Sequence, residues 1–373
     1  MVPPNLQQPG LPRGGARFCR ETTASVPGAL APQRTEGTVA TDVEFGLLVQ
    51  AVDPPDQFVA LAQRAEVLGF THLWVADSSL HAGYVYSYLT LAAVHTKRIR
   101  LGTGITHPMT RHAAQAANAM ATLDAMSGGR AVLGVGAGDR PVRELGLRPA
   151  PVKAVKEMIV ANRRLFTGER LSFDGEFVRL VDARLHFPPR NPVPVYVAAS
   201  GPRMLALGGA LADGLLIQVG VWPDCLKAAL EGVSQGAAGA GRSLQALDIS
   251  AMTYGSVRAD RRQAMDEARP FAAWIPQTVP TYCAIAGISP EDVEAVKRVY
   301  QGGELHEAVE AARAATDEMI EKFTLSGTPA EVRQKVEGIL STGIRHITYF
   351  PMGSNRLGGI ERFAQGVMAH YLS

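Results

Sequence analysis

Short apolar runs alternate along most of the chain with longer stretches in which apolar positions recur every three or four residues. The first describe strands buried on both faces, the second amphipathic helices. Glu44 to Gln50 is the first such run, and Asp56 to Leu68 follows as a helix with Phe58, Leu61, Ala62 and Ala65 inward and Gly69 at its end. Thr71 to Ala76 and Tyr84 to Thr96 repeat the pair. Ile99 to Gly104 is a third strand, Arg111 to Met126 its helix, stopped by Ser127-Gly128-Gly129, and Ala131 to Val135 a fourth strand. A helix near Val152 to Phe166 leads into an excursion hairpin at Leu171 to Leu180, turned at Asp174-Gly175. Strands at Pro194 to Ala198, Gly214 to Gln218, Leu247 to Tyr254 and Ile344 to Phe350 complete eight. Their helices lie at Pro202 to Leu211, Pro223 to Ala240, Thr328 to Leu340 and Ile360 to Leu372. The helical segment from Ala259 to Phe323 is longer than one crossover needs, so it predicts an insertion over part of one end.

Eight strands alternating with helices predict an α/β fold, a closed (β/α)8 barrel over residues 42–373. An open doubly wound sheet is the competing architecture, and it would bring a switch point and a dinucleotide fingerprint. Residues 1–41 lack periodicity and carry Pro3, Pro4, Pro9, Pro12, Pro27 and Pro32, which predicts a flexible N-terminal extension without the apolar centre of a secretory signal.

Composition narrows the function without choosing it. Of 373 residues, 46% are hydrophobic and 19% charged, as in an ordinary globular enzyme, and a net charge of +2 gives no basis for a nucleic-acid partner. Cys19, Cys225 and Cys283 are too far apart for a disulfide framework or a paired metal motif, which suits a reducing cytoplasm. Apolar runs such as Met204 to Ala212 fall well short of the roughly 20 residues that span a bilayer, so no membrane partner is expected. Zinc-protease and P-loop signatures are missing from the sequence, and the GxSxG match at Gly232 to Gly236 lies within the helix read at Pro223 to Ala240 instead of at a strand-to-helix turn, so it does not mark a serine nucleophile.

Barrel chemistry collects at the carboxyl ends of strands. The fourth strand ends in Gly134-Val135-Gly136-Ala137-Gly138-Asp139, whose sixth position is acidic and so fails the nicotinamide pattern. The glycines also read as a plain tight turn. Asp139, at a strand end among glycines that admit a flat ring, is placed for proton transfer, and it equally reads as a helix cap or a partner of Arg140 or Arg143. At Ser200-Gly201-Pro202-Arg203-Met204 a strand runs into a helix. The N–H groups of Ser200, Gly201, Arg203 and Met204, with the Arg203 charge, would make an anion site there, or else the start of an ordinary capped helix.

Three blocks, TxPxTRH at Thr106 to His112, ATLDxxSGGRAVLGxGxGD at Ala121 to Asp139, and VYVAASGPRM at Val195 to Met204, make the chain resemble the deazaflavin-dependent branch of the luciferase-like oxidoreductases, the methylenetetrahydromethanopterin reductases in particular. The resemblance implies a bacterial luciferase-like barrel binding coenzyme F420, with Asp139 as the catalytic acid or base. It implies a non-prolyl cis peptide at Gly104-Ile105 behind the deazaflavin ring, and coenzyme contacts from Asp77, His107, Ala137, Gly138 and Gln218. The coenzyme's phosphate would lie on Ser200, Gly201, Arg203 and Met204. A lone histidine such as His107 also reads as structural. No metal is implied for the reaction, and a homodimer is. FMN is the alternative cofactor, in a monooxygenase of the same superfamily.

The chain departs from these relatives at the substrate end. Leu48 stands where methanopterin reductases have a glutamate, and Ser78 and Val221 stand where the sugar-phosphate dehydrogenases have a histidine and a phosphate-binding lysine. Gln50, His81, Tyr84, Tyr86, Trp222, Tyr254 and Trp274 are the predicted mouth, suited to an uncharged organic molecule, and each also reads as core or surface. The expected reaction moves a hydride between the deazaflavin and a small organic acceptor, reducing a C=C or C=N bond.

Overall fold

The computed structural model describes residues 43–300 and 311–372, so the N-terminal extension and Cys19 lie outside the described residues. Eight parallel strands close into a barrel: β1 (Glu44–Val49), β2 (His72–Val75), β3 (Arg100–Thr103), β4 (Ala131–Val135), β7 (Val195–Ala199), β8 (Gly214–Ile217), β9 (Asp248–Gly255) and β10 (His346–Pro351). They neighbour one another in chain order, and β1 pairs with β10 to complete the ring. The expected excursion is a separate antiparallel hairpin, β5 (Leu171–Asp174) with β6 (Arg179–Ala183). The open-sheet alternative is excluded.

The crossover helices are α1 (Pro55–Val67), α2 (Val85–His95), α3 (Ala113–Ser127), α5 (Val152–Phe166), α6 (Pro202–Leu211) and α7 (Pro223–Gly239), with α4 (Arg140–Arg143) a single turn after β4. Among the described residues, the insertion between β9 and α12 (Pro329–Leu340) includes α8 (Arg261–Thr278), α9 (Pro280–Ile285), α10 (Pro290–Val299) and α11 (Asp317–Phe323), and α13 (Arg356–Gly366) follows β10.

Inside the barrel, Trp74 is fully buried and lies opposite Gly102 of β3. A side chain at Gly102 would overlap the Trp74 ring, so the large residue of one strand requires the small one of the next. The SGGR segment is a joint of the outer shell. Gly128 ends α3 at φ 74°, a backbone region that favours glycine, and Arg130 donates to the Ala93, Ile99 and Ser127 carbonyls at 2.7–2.8 Å. One guanidinium thus closes the ends of α2 and α3 and fixes the entry to β3. The carboxylate of Glu66 accepts the Lys97, Arg98 and Ile99 N–H groups at the same corner.

Candidate active site

The loops leaving the carboxyl ends of the strands surround an open cleft with about 680 Å³ of empty space. β1 contributes Leu48 and Gln50, β2 contributes Ser78, β3 contributes Gly104, β4 contributes Asp139 and Arg140, and β8 contributes Gln218. The three blocks singled out in the sequence follow or carry β3, β4 and β7, and Gln218 follows β8, four consecutive neighbours in the ring. Asp139 and Ser200 therefore share one end of the molecule.

The Gly104–Ile105 peptide is cis and non-prolyl, at the expected place. Gly104 lines the cleft, and Thr106 continues the strand by donating its N–H to Gly134 O at 3.0 Å. Ala137 and Gly138 are half-buried beyond β4. Gly138 has φ 75°, and a Cβ there would lie 3.0 Å from Cδ2 of His107, so the turn after β4 rests directly on the imidazole.

Asp139 stands at the lip of the cleft, its side chain 52% exposed, with Arg143 Nε 3.5 Å from Oδ1. It immediately precedes α4, and its side chain makes no capping bond there, so the cap alternative is set aside while the ion pair is present. Arg140 binds Glu144 at 2.5 Å, and Glu144 also meets His81, which ties the loop after β2 to the loop after β4.

Asp77 and His107 face the protein. The Asp77 carboxylate is buried and takes Arg111 Nη2 at 2.9 Å, Arg111 Nε at 3.1 Å and the Thr106 hydroxyl at 2.8 Å. The Arg111 guanidinium lies 4.7 Å from the centre of the Tyr84 ring. His107 binds Thr110 Oγ1 through Nδ1 at 2.5 Å, and its Nε2 lies 3.3 Å from the Asp77 carbonyl. Burial pushes its pKa down. These residues brace the segment from Gly104 to Arg111 from behind. Arg111 went unassigned in the sequence although the TRH block contains it, because its partner lies 34 residues away.

At β7, Ser200 Oγ donates to the Gln218 carbonyl at 2.7 Å, and the Tyr282 hydroxyl donates to Ser200 O at 2.9 Å. The insertion therefore props the start of α6. Gly201 and Arg203 are exposed there, and nothing lies within 4 Å of a Cβ built on Gly201. Met204 differs from expectation: its N–H is used within the first turn, donating to Gly201 O at 3.0 Å.

Of the predicted mouth, Gln50, Tyr254 and Trp274 line the cleft. Tyr86 is buried and Tyr84 exposed beside Arg111, while Trp222 borders a second cleft with Arg261 and Gln334. The sequence reading missed Phe271 and Phe350. Phe271 stacks on Tyr254 at 3.9 Å and 11°, Phe350 lies 4.9 Å from Tyr254, and Trp274 lies 5.6 Å from Phe271. Phe271 and Trp274 are three apart on α8, a spacing that puts both rings on one helix face and was available as a signal.

Over most of its length the chain is similar to known proteins. The model of the luciferase-like monooxygenase family matches residues 29–346. A 5,10-methylenetetrahydromethanopterin reductase from Archaeoglobus fulgidus is 34% identical over 316 residues, 82% of this chain and 92% of that protein. An F420-dependent glucose-6-phosphate dehydrogenase from Nakamurella multipartita is 31% identical, over 87% of this chain and 96% of its own. The solved structure of the coenzyme F420-dependent tetrahydromethanopterin reductase from Methanopyrus kandleri superposes with a TM-score of 0.80 at 30% identity, covering 88% and 99% of the two chains. With a closed eight-stranded barrel, a cis peptide after β3 and an acid after β4 at one mouth, the chain belongs to the luciferase-like monooxygenase family.

Proposed function

We propose that the protein is a coenzyme F420-dependent oxidoreductase that reduces a C=C or C=N bond of a small, uncharged organic substrate. The observation that carries this reading is the position of Asp139, a solvent-reached carboxylate at the lip of a cleft that Gly104 also lines, next to Gln218 and the aromatic group of Tyr254 and Phe350. The relatives named above as F420-dependent support the choice of coenzyme.

The residues fit such a coenzyme. The exposed start of the ten-residue α6, with Gly201, Arg203 and the propped Ser200, offers positive potential to a phosphate, and the small residues Gly104, Ala137 and Gly138 admit a flat ring. Coenzyme F420, when bound, supplies the hydride. The chain supplies orientation and a proton. Asp139 gives that proton to the atom of the double bond that does not receive the hydride, and takes it back in the reverse direction. Gln50 and Gln218 offer neutral hydrogen bonds to a substrate, and the aromatic group excludes water around it. Leu48 stands in the cleft without an acid, and Val221, buried with its N–H donating to Lys322 O, has no charged side chain to meet a sugar phosphate.

Among the described residues no helix is long and apolar enough to cross a membrane. The described cysteines, Cys225 and Cys283, are free and buried, which agrees with a reducing cytoplasm, and we carry over the homodimer as the assembly.

Titrating the purified protein with oxidised coenzyme F420 and, separately, with FMN tests the proposal. Saturable binding of the deazaflavin, and its oxidation from the reduced form by an acceptor under anaerobic conditions, are expected. Oxygen uptake supported by reduced FMN, without any deazaflavin binding, would refute it.

A further inference from the structure

The opposite end of the barrel holds a polar group that the proposed reaction does not use. β1, β2, β9 and β10 begin with Glu44, His72, Asp248 and His346, and one possible ligand atom from each of Glu44, His72 and His346 lies within 4.8 Å of the other two. Both imidazoles are buried, with ring centres 4.7 Å apart.

Their outer partners set the tautomers. Nδ1 of His346 faces both Asp248 oxygens at 3.1 and 3.2 Å, and Asp248 is itself held by the Tyr196 hydroxyl at 2.5 Å. Nδ1 of His72 meets Thr71 Oγ1 at 2.9 Å, and that hydroxyl donates to Phe45 O, which leaves its oxygen to accept. Nε2 of His72, Nε2 of His346 and Nε1 of Trp74 have no hydrogen-bond partner despite burial. Three orphaned polar atoms within one layer are costly unless something satisfies them.

Gly46 shows where that something fits. A Cβ on Gly46 would lie 2.8 Å from Thr348 Oγ1, 3.0 Å from His346 Nε2 and 3.2 Å from Trp74 Nε1. Three polar atoms from β2 and β10 converge on one glycine of β1, and any larger residue there would fill the space.

The geometry points to a divalent metal site of the zinc type, ligated by Nε2 of His346, a ring nitrogen of His72 and the carboxylate of Glu44. The carboxylate behind His346 is the arrangement that orients and strengthens a metal-binding imidazole. Two nitrogens and one oxygen suit zinc with a water in the fourth place, and that water would accept from Trp74 Nε1 and donate to Thr348 Oγ1. Arg100 faces the same layer and opposes a cation, and the carboxylates of Glu44 and Asp248 stand against it. Glu44, 55% exposed, can swing inward and offers the way in. β1 and β10 are the first and last strands of the ring, so the metal would fasten the seam where the barrel closes.

The test uses the full-length protein after chelator treatment, titrated with zinc by calorimetry and with cobalt by visible absorption. One equivalent of tight binding and a raised melting temperature with zinc are expected. Asp248→Asn should weaken binding about 10- to 100-fold. Glu44→Gln, at an exposed position that leaves the metal-free fold intact, should weaken it at least as much. No stoichiometric zinc or cobalt binding would overturn the assignment, as would affinity unchanged in both Glu44→Gln and His346→Asn.

Discussion

Replacing Asp77 with asparagine separates a residue that braces the site from one that touches the coenzyme. The side chain is 3% exposed and Arg111 is 19% exposed, so the pair is shielded from water. Asparagine keeps the shape but loses the charge and turns one acceptor into a donor facing the Thr106 hydroxyl or the guanidinium. Breaking a buried pair from one side costs about 3–5 kcal/mol. Partial exposure and the Tyr84 ring retain some of Arg111's stabilisation, which puts the expected loss near the lower bound, ~3 kcal/mol. For a barrel of about 320 residues the unfolding entropy at the midpoint is roughly 0.7 kcal/mol/K, so Tm should fall by about 4 °C. Arg111→Met should cost a similar amount, because it leaves the Asp77 carboxylate buried with one hydroxyl partner. The double variant removes both charges and should cost well under the sum, with a coupling of about 2 kcal/mol in a denaturant-melt cycle. Coenzyme affinity measured on the same four proteins should follow that pattern, falling in each single variant and recovering in the double. Additivity within about 0.5 kcal/mol would refute the brace. Affinity lost in Asp77→Asn and not recovered in the double variant would place Asp77 in direct contact with the coenzyme.

Asp139→Asn should lower kcat about 10²- to 10⁴-fold while deazaflavin affinity stays within a few-fold, as measured by steady-state kinetics and fluorescence titration. Trp274→Ala removes an apolar wall from the cleft and should raise KM for the substrate far more than Kd for the coenzyme. Gly138→Ala forces a side chain onto φ 75° and against His107, and should both destabilise the protein and weaken the coenzyme, read by thermal melt and titration. Burial pushes the Glu157 carboxyl up, but the N–H groups of Phe177, Val178 and Glu176 outweigh it and hold its pKa below the ordinary 4.5. Its contribution is therefore complete above the unfolded value and lost as pH falls through the folded one. Hydrogen exchange should show the β5–β6 hairpin opening on acidification below about pH 4.5, a dependence that Glu157→Gln abolishes.

The alternation of apolar runs and helical periodicity determined the barrel, because a parallel sheet covered on both faces forces continuous apolar strands and each crossover forces a one-sided helix. Those two periods also set the strand ends to within a residue or two, and with them the order in which Gly104, Asp139, Ser200 and Gln218 reach one mouth. Direction within the mouth was not written locally. Asp77 and Asp139 are both acids just past a strand, yet one is buried against Arg111 and the other reaches solvent, and that choice depends on a partner 34 residues along the chain. The same holds for the aromatic group, where Phe271 reaches Tyr254 only because α8 folds back over β9, and Phe350 reaches it only because β10 pairs with β9. At the far end, Glu44, His72 and His346 begin three separate strands, and only closure of the ring brings the first beside the last. Periodicity is a property of neighbours in sequence, whereas pairing of charges, rings and ligands is a property of neighbours in space.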